Sequence, residues 1–132
     1  MIRRIEKDGE LIALIVPRDH APEGLEFYTP NEFSQQLAYM KRPAGYRIPA
    51  HVHHEVPREV RFTREVLFIR RGRLRMDLYT QAKEFVVSEV LAAGDVILLA
   101  AGGHGVTVLE EAEIIEVKQG PYAGTEDKER FE

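Results

Sequence analysis

Glu65-Val-Leu-Phe-Ile-Arg-Arg-Gly-Arg-Leu-Arg-Met-Asp-Leu-Tyr79 (EVLFIRRGRLRMDLY) is the stretch on which the fold turns. In its second half Leu74, Met76 and Leu78 alternate with Arg73, Arg75 and Asp77. That period of two belongs to a strand with one buried face. Its first half is a short apolar run, and Arg71-Gly72 lies between the two. The pattern predicts two strands, 65–69 and 73–79, joined by a turn at Arg71-Gly72.

Working outward, residues 85–91, 96–100, 106–109 and 114–117 repeat the same short apolar rhythm. Ala93-Gly94-Asp95, Gly102-Gly103 and the acidic run 110–113 read as the turns between them. Upstream, residues 2–5 and 11–16 flank Asp8-Gly9, a dipeptide that suits a tight hairpin because both positions tolerate positive φ. Residues 17–24 read as a loop, and 33–40 (FSQQLAYM) as a strand rather than a short helix. Short strands separated by turns at this density predict an all-β sandwich or barrel. At 132 residues the chain is expected to form a single domain, 1–132. The tail 124–131 is polar and reads as a mobile end or a strap at an interface.

The totals exclude several classes. There are no cysteines, hence no disulfide, thiolate metal site or cysteine nucleophile. The formal net charge is −4 with both signs interspersed, which gives no electrostatic case for nucleic acid or an anionic membrane. No apolar run approaches the ~18 residues of a membrane span. The N-terminus shows no signal-peptide pattern, so a cytoplasmic protein is expected.

Three of the five histidines fall in Gly45-Tyr-Arg-Ile-Pro-Ala-His-Val-His-His54. On a strand, His51 and His53 point to one face and His54 to the other. Such a pair can be a metal pincer or simply a polar surface face.

The surroundings weigh on that choice. Gly45 is followed after five residues by His51-x-His53, and Glu65 after six residues by Gly72. Further on come Gly94, Gly102 and His104. This arrangement resembles the two motifs of the cupin superfamily, with the first over about 45–72 and the second over about 94–108. Three departures accompany the resemblance. Residues 54–64 are an inserted loop, Ala100 stands where proline is usual, and His104 arrives one residue early.

The resemblance implies a cupin-type double-stranded β-helix, or jelly-roll barrel, of the single-domain kind. It implies one divalent transition metal (Fe, Mn, Ni, Co, Cu or Zn) held by His51, His53, Glu65 and His104. It further implies a metal-dependent enzyme of isomerase, epimerase, lyase or dioxygenase type acting on a small polar or anionic molecule. Carbohydrate or sugar-nucleotide metabolism is the associated area. A non-catalytic barrel that binds or senses a small ligand is the alternative.

Other residues are candidates for substrate binding. Arg58, Arg61 and Arg64 recur in the inserted loop, with Arg47 nearby, and guanidinium groups pair well with anions. Against this, Glu55 and Glu59 can neutralise them on a solvated loop. Gln36, Tyr39, Glu116 and Lys118 are further polar candidates for a cavity wall. The alternation 115–118 ordinarily turns Ile115 and Val117 to the core and leaves Glu116 and Lys118 outside. The hairpin 2–16 is apolar with no evident partner, so a homodimer is expected; the other partner expected is a small molecule.

Overall fold

The computed structural model describes residues 1–132. Eight strands and one short 3-10 turn make an all-β chain: β1 (Arg3–Lys7), β2 (Glu10–Val16), β3 (Gly24–Phe27), β4 (Ala38–Lys41), β5 (Glu65–Tyr79), β6 (Phe85–Ala92), β7 (Val96–Leu99) and β8 (Gly103–Lys118), then Gly124–Glu126. No helix is long and apolar enough to cross a membrane. The chain divides into two compact units, one of Met1–His20 with Phe62–Glu132 and one of Ala21–Arg61.

The first unit is a six-stranded antiparallel sheet running β1-β2-β7-β5-β6, with β8 along the other side of β5. Asp8 and Gly9 both take positive φ, 52° and 78°, and close the β1–β2 hairpin as the sequence predicts. The hairpin does have a partner in its own chain, because β2 pairs β7 from Ala13 opposite Leu99 to Val16 opposite Val96.

The two strands expected at 65–69 and 73–79 are one strand, and so are those expected at 106–109 and 114–117. β5 and β8 form a single long ladder in which the expected turns face each other as bulges, with register shifts between Ile69 and Leu74. The bulge explains the apolar pattern. Leu67 and Ile69 are buried, and so are Leu74, Met76 and Leu78, a change of phase that an unbroken alternation cannot produce. Gly72, at φ 82°, sits at this bend.

The opposite edge of β5 bends at the same level. β7 pairs residues 65–68 and β6 pairs residues 73–79, while the intervening turn bonds Ile69 through Gly94 N–H (2.7 Å) and the Asp95 carbonyl (3.0 Å). Asp95 fixes that corner by accepting from Ala92 N–H at 2.8 Å and Arg18 N–H at 2.9 Å. Three neighbouring strands bending together curl the sheet into a half-barrel. Ile5, Ile12, Ile15, Leu67, Ile69, Leu74, Met76, Leu78, Leu91 and Ile97 pack as its core.

In the second unit β3 and β4 pair from Gly24 opposite Lys41 to Phe27 opposite Ala38. Strand 33–40 is realised only at its end. Residues 31–36 are instead a loop organised by Gln36, whose amide donates to Pro30 O (3.0 Å) and Phe33 O (2.8 Å). Its carbonyl accepts from the buried Thr29 hydroxyl at 2.5 Å. Residues 42–61 carry no strand and are exposed throughout. The strand expected to align His51 with His53 is therefore absent. Pro43, Pro49 and Pro57 interrupt the segment, and proline can donate nothing to a ladder.

Candidate functional site

β8 runs antiparallel to β5, so its second residue, His104, pairs with Leu78 at the far end of β5, whereas Glu65 begins that strand and pairs with Lys118. On a flat ladder those two levels would lie about 43 Å apart, at ~3.3 Å per residue. Yet His104 Nε2 and a Glu65 carboxylate oxygen meet at 3.0 Å. The curl of the half-barrel brings them together, and Gly72 and its opposing bulge are part of that bend.

The pair is partly shielded, the Glu65 side chain being 16% exposed and that of His104 37%. The hydrogen bond with His104 holds the Glu65 carboxyl below the usual carboxylate range. Burial opposes that shift, and the charges of Lys118 and Lys128 add to it. In an antiparallel ladder opposed residues share a face. Glu116, opposite Leu67, and Lys118, opposite Glu65, thus lie on the core-lining face, and Ile115 and Val117 on the other, the reverse of the ordinary expectation. Glu116 and Lys118 are ion-paired to each other at 3.2 Å. Being on a sheet margin, both keep access to water.

His51 and His53 form the second pair, in the other unit. Their rings meet edge to face with centroids 5.3 Å apart, and His51 Nδ1 lies 2.8 Å from the Pro49 carbonyl oxygen. They reach this proximity through the extended path of the chain rather than as a strand face. Within neither unit do three histidine, aspartate or glutamate side chains gather around one point. Each unit instead supplies a pair of donors of the type that transition metals take.

The arginines divide. Arg64 donates to the Ala100 carbonyl at 3.2 Å, and its own carbonyl accepts from Gln119 N–H at 3.2 Å, so it has a backbone-tying role. Arg61 is ion-paired to Glu59 at 2.8 Å, the neutralised arrangement that the loop's glutamates suggest. Arg58 lines an open cleft of about 880 Å³ together with Phe27, Phe33, Gln36, Glu32 and Glu59. Arg47 lies exposed in the irregular segment and Tyr39 sits on β4 opposite Glu26. Gln36 reaches the cleft, but its amide is taken up by its own loop.

Two features had no signal in the sequence. Tyr28 is buried and donates to Glu26 at 2.9 Å; burial, then that carboxylate, push its hydroxyl up to about 12. Lys128, in the tail, adds positive charge near Glu65. The chain matches no family model, no curated protein and no solved structure.

Proposed function

We propose that this chain is a small cupin, a jelly-roll barrel in which His51, His53, Glu65 and His104 bind one divalent transition metal ion. We propose further that it is a metal-dependent enzyme acting on a small polar or anionic molecule. The observation that carries this reading is the contact of Glu65 and His104 at 3.0 Å from opposite ends of the β5–β8 ladder. A carboxylate and an imidazole brought together by the roll of a sheet are two of the four donors that the motif resemblance assigns, and their chemistry suits Fe, Mn, Ni, Co, Cu or Zn.

A bound cation would supply Lewis acidity towards substrate oxygens, or O₂ activation if it is Fe(II). The protein's own groups then divide the remaining tasks. Glu116 and Lys118, on the same sheet face as Glu65, are the candidates to accept and return a proton. Arg58, in its cleft, suits an anionic group. Isomerisation, epimerisation, lyase and dioxygenase chemistry are the classes this donor set serves, with carbohydrates or sugar nucleotides as the substrate area and a cytoplasmic setting.

The pairing of Glu65 with His104 and of Glu116 with Lys118 favours a second reading, a non-catalytic barrel that binds or senses a small ligand. Because β2 engages β7, a homodimer no longer follows from a spare hairpin. It rests instead on β8, along whose outer edge no strand lies.

The test is elemental analysis of protein purified without an affinity tag. The reading expects close to one metal per chain. It expects that metal to be lost in His51→Ala, His53→Ala, Glu65→Gln and His104→Ala while circular dichroism stays that of the parent. Metal content unchanged across all four variants would sink it.

A further inference from the structure

The C-terminal tail makes its contacts at two places that the sequence sets far apart. Asp127 accepts a hydrogen bond from the Thr63 hydroxyl, just before β5 begins. Lys128 acts on Glu65 at the same end. Glu129 is ion-paired with Lys83, in the turn just after β5 ends. Phe131 packs edge to face on Tyr79, the last residue of β5, with ring centroids 4.9 Å apart at 89°. The Lys83 ammonium stands 5.9 Å from the centre of the same ring.

The fifteen residues of β5 would span about 50 Å if straight. Residues 127–131 can reach at most about 18 Å. The tail can hold both ends only while the sheet is rolled up.

The seat for the tail is built beside His104. Gly103 lacks the side chain whose Cβ would stand 3.1 Å from the Phe131 ring, and Glu132 reaches within 4.0 Å of the corresponding position on Gly105. Glycines thus flank His104 where the tail lies down. Gly103 needs no left-handed backbone, so the absent side chain matters for space rather than for conformation. Every anchor is a surface contact of the kind that opens readily and locally.

We propose that residues 127–131 are a reversible clasp: docked, they hold the two ends of the rolled β5–β8 ladder together and keep Glu65 against His104; released, they let that pair part and open to solvent. The inference rests on the half-barrel alone and stands whether or not the pair binds metal. It makes the tail the element that gates this pair, with Phe131 as its latch.

The test uses full-length protein treated with chelator, so that loss of metal cannot mimic the effect. Amide hydrogen exchange and the His104 ring resonances are followed in Phe131→Ala and, independently, in Gly103→Val, which fills the seat from the other side. Losing one edge-to-face pair should speed exchange at residues 127–128 and 63–65 about two- to tenfold. These sites lie at the anchor remote from Phe131. The His104 ring signals should shift, with Leu74 and Met76 amides unchanged. If either folded variant quickens exchange only at residues 129–132 and leaves His104 and residues 63–65 unmoved, the clasp is refuted.

Discussion

Gly72→Ala should cost far more than a glycine substitution at an ordinary turn. Gly72 has φ 82°, and a Cβ there would stand 2.0 Å from the Glu111 carbonyl oxygen and 2.8 Å from the Ala112 Cα. The left-handed backbone costs an alanine about 1–2 kcal/mol. Forcing two paired backbones apart adds about 1–3 kcal/mol, the range for overpacking a well-filled site. Gly9 is the matched control: its φ is 78°, but nothing lies within 4 Å of its missing Cβ. Gly9→Ala therefore pays only the backbone part. At roughly 3–5 °C per kcal/mol for a chain of this size, Gly72→Ala should melt about 3–15 °C below Gly9→Ala in a thermal scan followed by circular dichroism. Any gain from a stiffer unfolded chain is common to both and cancels. Equal melting temperatures would refute the bulge-to-bulge contact, and with it the bend that brings Glu65 to His104.

Other expectations follow from the same geometry. Met76 is fully buried in the core, so Met76→Ala should lower unfolding free energy by about 2–5 kcal/mol, read from the urea midpoint; a change below about 1 kcal/mol would mean the half-barrel is loosely packed. The Glu65 carboxyl is held below its ordinary value of 4.5, chiefly by His104. A carboxyl lowered on folding stabilises the fold above that ordinary value and loses the contribution as pH falls through its folded value. Chelated wild-type protein should thus lose stability below about pH 4.5 more steeply than Glu65→Gln, and parallel acid limbs would contradict the contact. Glu59 is engaged with Arg61 on the exposed loop, so Glu59→Gln should leave metal content as it is while Glu65→Gln abolishes it; the opposite order would show the insertion at 54–64 to be misplaced.

What the sequence made legible was local. Asp8-Gly9 and Ala93-Gly94-Asp95 are turns in the structure because their geometry is fixed within a few residues, by paired positive φ in the first and by the Asp95 carboxylate in the second. Arg71-Gly72 carries the same glycine signal, and the run 110–113 a purely polar one, yet both bulge inside strands. A turn and a bulge both accept a glycine at positive φ, and only the strand opposite decides between them. Partner choice also decided β3, whose Leu25-Glu26-Phe27 is too short to show a period.

The donor pairs were legible as residue types, since His51-x-His53, Glu65 and His104 stand out in any reading. Their geometry was not. Pro49 keeps His51 and His53 off a ladder, and the Glu65–His104 contact depends on a curl that no local pattern encodes. The roles of Lys128 and Phe131 were hidden for the same reason, because a polar tail shows its anchors only once the two ends of β5 are close together.

The most direct test of a single metal centre is a crystal soaked or grown with the cation found by elemental analysis, with data collected across its absorption edge. One strong anomalous peak per chain, contacted by His51, His53, Glu65 and His104, is the result expected. A map in which Glu65 and His104 bond only to each other, with any anomalous density elsewhere, would contradict it.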